Sequence, residues 1–113
     1  MEGYSNRIQL MTFGKPRIGN SVFSKFFDSK IKSKWRIVNQ KDLIPRLPPR
    51  FLGYQHSVQE IWFEKNEKDF KFCDANNGED SKCSLSVKLP VPWNYHIRYL
   101  GFNKHDGAPF ECR

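Results

Sequence analysis

Trp35-Arg36-Ile37-Val38 runs without a break into Asn39-Gln40-Lys41-Asp42-Leu43-Ile44-Pro45-Arg46-Leu47-Pro48-Pro49, and the reading of this stretch decides the fold. The apolar run reads as a buried strand. Pro45, Pro48 and Pro49 then stop the strand and hold the backbone rigid, because each fixes its own φ and removes an N–H donor. Asp42 therefore sits at a strand's carboxyl end. In an open α/β sheet, ligands and catalytic groups gather in the crevice beyond those ends, so a carboxylate placed there by a rigid turn is a candidate for chemistry. An aspartate before a turn also commonly does no more than bond nearby backbone N–H groups, and the residue alone leaves both roles open.

Outward from this stretch, the N-terminal side predicts a strand over Ile8–Phe13 that closes at Gly14-Lys15-Pro16. Asn20 is a good N-cap for a helix from Ser21 to about Ser33. Its apolar residues Val22, Phe23, Phe26, Phe27 and Ile31 share one face at helical spacing, which predicts a helix packed on a sheet. Strand, helix and the Trp35–Val38 strand make a β-α-β unit with parallel strands and a right-handed crossover. On the C-terminal side, Phe51-Leu52-Gly53-Tyr54 leads to His56 and a strand over Val58–Phe63. The polar, charged segment Glu64–Ser86 reads as a surface excursion. Pro90 and Pro92 frame a short connection to a predicted helix over Trp93–Leu100, with Trp93, His96, Ile97 and Leu100 on one face. Gly101 ends it, and the remainder reads as a tail.

A chain of 113 residues is at most one domain, large enough to bury a core but small for a complete α/β enzyme. Ten Phe, three Trp and four Tyr argue for a packed protein rather than a disordered one. The net charge of +7 is concentrated in residues 1–56, which carry 11 Lys and Arg against 3 acids, while residues 57–113 carry 8 against 9. These bases are scattered singly over a helix and its flanks, which describes a solvated face. An anionic lipid surface is the next reading, and nucleic acid the poorest, because basic residues do not alternate with exposed aromatics. No apolar run reaches the length of a membrane span, and the first residues contain no signal-peptide core. Cys73, Cys83 and Cys112 lack C-x-x-C spacing, so a zinc site with His56, His96 or His105 has little support. Cys73 and Cys83 bracket the turn-forming run Asp74–Asp80, whose hairpin-like return suits a local disulfide and leaves Cys112 over.

Four blocks in order carry a resemblance to a known family. They are Thr12-Phe13-Gly14-Lys15-Pro16-Arg17-Ile18-Gly19-Asn20; Val38 to Pro49; Gly53-Tyr54-Gln55-His56 with Glu60-Ile61-Trp62; and His96-Ile97-Arg98-Tyr99. Together they resemble the class 3 lipases, the fungal-type triacylglycerol lipases with an α/β-hydrolase fold. The resemblance implies that Asp42 is the acid and His96 the base of a Ser-His-Asp triad, with the imidazole Nδ1–H directed at the carboxylate. It also implies that Pro45, Leu47, Pro48 and Ile97 border an acyl-chain groove, and that a Cys73–Cys83 disulfide closes the loop before the last helix. His56 is given a structural role, holding a turn through its side chain, and His105 is read as solvated. Cys112 is expected to pair with a cysteine far upstream. Neither a cofactor nor a metal is implied.

The departure from that pattern is large, since no G-x-S-x-G occurs in the chain. Gly19-Asn20-Ser21-Val22-Phe23 is the nearest string, and Phe23 stands where the second glycine is needed. The expectation is therefore that residues 1–113 correspond to the C-terminal portion of a lipase-like α/β-hydrolase domain, with the nucleophile half outside it. Such a partial domain supplies acid and base to a secreted lipid-ester hydrolase and is inactive alone. The alternative is a non-catalytic lipase-like half-domain that binds lipid or a protein partner. Either way, a chain that starts at the Ile8–Phe13 strand leaves a sheet edge open, which predicts self-association.

Overall fold

In the computed structural model, which describes residues 7–91 and 93–103, strand β3 (Ser33–Asn39) is the centre of a four-stranded sheet. β1 (Gln9–Phe13) and β5 (Glu60–Phe63) flank it, both parallel to it, and β6 (Lys71–Phe72) adds an antiparallel edge beside β5. The β1–α1–β3 unit is the expected one: α1 (Ser21–Lys30) follows the short strand β2 (Gly19–Asn20), and the Asn20 side chain caps the helix by accepting the Phe23 N–H at 2.9 Å. β2 pairs with β4 (Tyr54–Gln55) in a small separate sheet.

The two faces of the main sheet differ because side chains alternate along a strand. One face carries Val38 and Trp62, which cluster with Cys73 and Cys83; Lys34, Arg36 and Glu60 share it by register. The other carries Ile37, Ile61 and Phe63, joined by Trp35 and Tyr99. α1 lies on the charged side. Asp28 meets Lys34 at 3.0 Å, and the Ser24 hydroxyl donates to the Gln55 carbonyl. This corrects the predicted aromatic packing face: Ser24 is the buried residue of the helix, while Val22 is 72% exposed and Phe23 and Phe26 are also exposed. The helix sets Asp28 against Lys34, and of its aromatic stripe only Phe27 is half-buried, with Lys34 Nζ 5.9 Å from its ring. It ends at Lys30, earlier than expected, and Ile31 is already extended and buried.

The predicted helix over Trp93–Leu100 is also corrected. Trp93 opens a single turn in which His96 and Ile97 donate to its carbonyl, and the chain then forms β7 (Arg98–Tyr99) and β8 (Phe102–Asn103) as a hairpin. Leu100 and Gly101 take positive φ values of 53° and 82° at its tip. The carbonyl of Tyr95, which a helix offers to residue 99, instead accepts from the Asn39 side-chain amide at 3.2 Å, as does that of Arg98 at 2.6 Å. The Glu64–Ser86 segment is more than an excursion, since it contributes β6 and a loop closed by the Cys73–Cys83 disulfide. Cys112 and His105 lie outside the described residues.

Candidate active site

Asp42 stands three residues past the end of β3, where the chain leaves the sheet. It is clamped on both sides. Its backbone pairs with Val91, through Leu43 N to Val91 O at 3.0 Å and Val91 N to Lys41 O at 2.9 Å. Its Oδ1 accepts the Ile44 N–H at 2.9 Å, which starts the 3-10 turn Ile44–Arg46. So the ordinary turn-holding role is real, but it uses one carboxylate oxygen. The other, Oδ2, lies 3.0 Å from His96 Nδ1. The structure thus brings together two residues 54 positions apart in sequence, with the Asp42 side chain fully buried and that of His96 29% exposed.

Two further residues complete this cluster, and residue-by-residue reading assigned neither a role. The Tyr99 hydroxyl donates to Asp42 Oδ2 at 2.5 Å and accepts the Asn39 N–H at 3.2 Å. Burial, then the neighbouring Asp42 carboxylate, push the Tyr99 phenol far above its usual range, so it is held as a donor. Gly14, with φ of 65°, lies against all three groups: a Cβ there would stand 2.8 Å from Asp42 Oδ2, His96 Nδ1 and the Tyr99 hydroxyl oxygen. The signal for both was present in the quoted blocks, as the glycine after the first strand and the tyrosine three residues beyond the histidine.

The four expected groove residues differ in exposure. Leu47 is exposed and Pro48 half-buried, and Ile97 lines an open cleft of about 370 Å³ with Gln40, Glu67, Tyr95 and Arg98. Pro45, by contrast, is buried and lines an interior gap with Arg17, His56 and Glu79. His56 holds the turn as expected of it, through Nε2 to the Pro45 carbonyl at 2.5 Å. Since a carbonyl only accepts, Nε2 carries the proton. Burial and the nearby Arg36 lower the His56 pKa from 6.5 to about 2, so the ring stays neutral. Glu60, Cys73 and Cys83 place metal-type donor atoms within 4.8 Å of one another, but the sulfurs are joined in a disulfide and offer no thiolate. Among the described residues, no helix is long and apolar enough to cross a membrane.

Residues 1–52 match the family described as Lipase (class 3). The chain is 49% identical over 108 residues to a secreted mono- and diacylglycerol lipase of Malassezia globosa, covering 89% of this chain and 30% of that protein. It is 32% identical over 102 residues to a lipase of Rhizomucor miehei, covering 88% of this chain and 27% of that protein. The fold superposes on a lipase of Rhizopus microsporus var. chinensis with a TM-score of 0.79 at 31% identity, covering 88% of this chain and 34% of that one. It also superposes on a triacylglycerol lipase whose catalytic centre is a serine protease triad, with a TM-score of 0.78 at 32% identity and the same share of this chain against 37% of that one. The chain therefore spans between 27% and 37% of the length of these relatives. With the β-α-β sheet, these matches lead to one conclusion: the chain belongs to the class 3 lipase family.

Proposed function

We propose that this chain supplies the acid and the base of a serine-type lipid-ester hydrolase. The observation that carries the reading is the 3.0 Å approach of His96 Nδ1 to the buried Asp42 carboxylate. In this role Asp42 accepts the Nδ1–H and holds the imidazole in one tautomer. Nε2 then takes the proton of an attacking serine hydroxyl and later returns it to the leaving alcohol, while Asp42 stabilises the imidazolium between these steps. No G-x-S-x-G occurs in the sequence, and no serine of the described residues is hydrogen-bonded to His96, so the serine is proposed to come from protein outside this sequence. Leu47, Pro48 and Ile97 supply apolar surface for an acyl chain, and Pro45 supports the turn from behind. Secretion is part of the proposal, because the relatives from Malassezia globosa are described as secreted.

The test is complementation. The chain is co-expressed with the part of the Malassezia globosa lipase that it does not match, and hydrolysis of an emulsified glyceride is followed. Activity is expected, and Asp42→Asn is expected to lower it on the order of 10⁴-fold, as loss of the orienting acid does in other triads. A complemented, folded complex that binds lipid vesicles without hydrolysing ester replaces this reading with the non-catalytic, lipid-binding one.

A further inference from the structure

The backbone beyond Asp42 is held by an unusual set of bonds. Four successive carbonyls, those of residues 45 to 48, each have a donor. Pro45 O accepts from His56 Nε2 at 2.5 Å; Arg46 O and Pro48 O both accept from Arg17 Nη1, at 2.5 and 3.0 Å; and Leu47 O accepts from Arg17 N at 2.7 Å. Only two residues do this work, and one carboxylate holds both. Glu79 takes the other two guanidinium nitrogens of Arg17, Nε at 2.9 Å and Nη2 at 2.8 Å, and its Oε2 accepts the His56 N–H at 2.8 Å. The Arg17 and Glu79 side chains are 3% and 6% exposed, and Glu79 lies inside the loop that the Cys73–Cys83 disulfide closes.

From this we infer that Glu79 is a positioning residue for the Asp42–His96 pair, acting through Arg17 and His56. The inference rests on the proposed acid–base reading of that pair. On its strand side Asp42 is fixed by the sheet and by Val91; on its turn side the fixed backbone begins at Ile44, whose N–H the carboxylate accepts. Moving the turn moves the donor of that bond. A bidentate arginine fork fits this task because it resists rotation as well as translation. The loop has no slack on this side: a Cβ at Gly78, the residue before Glu79, would lie 2.2 Å from the His56 carbonyl oxygen. Arg36 Nη2 also donates to the Gly78 carbonyl at 2.9 Å, tying the loop to β3 itself. Glu79 touches neither Asp42 nor His96, so its effect on them is one of geometry.

The experiment reads the imidazole directly. The full chain, labelled with ¹⁵N and kept dispersed in non-ionic detergent, is held above the imidazole titration range, and the His96 ring nitrogen shifts report its tautomer. Wild type is expected to hold the Nδ1–H tautomer, and Asp42→Asn to release it to the Nε2–H form that free imidazole prefers. Glu79→Gln, which preserves shape and removes the charge that holds the fork, is expected to lose most of the Nδ1–H population while the chain stays folded by circular dichroism. Should the glutamine variant fail to fold, Arg17→Lys, which keeps the buried charge and loses the fork, is read against the same outcomes. A folded variant with wild-type His96 shifts, beside an Asp42→Asn chain whose shifts change, overturns the positioning role and leaves the pair standing. Unchanged shifts in Asp42→Asn overturn the pair, and the positioning role with it.

Discussion

Tyr99 donates to Asp42 Oδ2 at 2.5 Å, the same oxygen that His96 Nδ1 approaches at 3.0 Å. One carboxylate oxygen thus serves the ring and the phenol, while the other serves the turn. A hydrogen bond to a buried charge contributes roughly 1.5–3 kcal/mol, so Tyr99→Phe is expected to lower stability by about that amount. The denaturation midpoint in urea checks it. In the complemented enzyme the same variant is expected to retain more activity than Asp42→Asn, because the acid itself remains.

Gly14 is the residue that the cluster leaves no room to change. A methyl group there meets three polar atoms at 2.8 Å, on a backbone with φ of 65° that side chains disfavour. Gly14→Ala is expected to destabilise by roughly 1–3 kcal/mol through overpacking and backbone strain. Its second effect is on geometry: displacing His96 from Asp42 by about 1 Å costs on the order of 10²-fold in turnover of the complemented enzyme. Thermal unfolding and initial rates separate the two effects.

His56 makes stability depend on pH. Its pKa is 6.5 when unfolded and about 2 in the fold, so between these values the unfolded chain binds a proton that the folded chain refuses. Stability from this group is fully present above pH 6.5 and is lost as pH falls toward the folded value, by about 1.4 kcal/mol per pH unit. Replacing it by glutamine keeps a donor for the Pro45 carbonyl and removes the titration. Urea midpoints measured from pH 7 down to about 5 are expected to fall more steeply in wild type than in His56→Gln, since one titrating site is removed. Equal slopes would falsify the neutral, buried assignment.

Reducing the Cys73–Cys83 disulfide opens a loop with a sequence separation of 10 residues. Loop-closure entropy puts the loss at roughly 2–3 kcal/mol. The Cys73→Ser/Cys83→Ser chain is expected to show a lower Tm that no longer responds to reductant.

Two apolar surfaces are left open among the described residues. Val22 and Phe26 are exposed on α1, and Met11, Phe13 and Phe72 are exposed on the sheet face that α1 does not cover. β1 is also the sheet's terminal strand. Parallel sheets are ordinarily covered on both faces. The isolated chain is expected to self-associate at micromolar concentration and to disperse in non-ionic detergent. A clean monomer in sedimentation without detergent counts against this.

The β-α-β unit, the Asn20 cap, the strand into Asp42 and the local disulfide were legible in the sequence, because each rests on local rules: alternation, helix spacing, proline rigidity and short loop closure. The motif blocks also pointed to Asp42 and His96. Tertiary structure decided what those rules do not reach. The periodicity of Trp93, His96, Ile97 and Leu100 suits a helix, yet the Asn39 amide takes two of the carbonyls and the segment becomes a turn and a hairpin. The aromatic stripe of α1 looked like a packing face, but the sheet beside it carries Lys34, which the helix meets with Asp28 and Phe27 while Val22, Phe23 and Phe26 stay exposed. The partners of Glu79 and Tyr99 could be read from no local pattern, since they lie 62 and 57 residues away. Such contacts form only after the chain has closed long loops, and their cost and their reward both belong to the folded state rather than to any window of sequence.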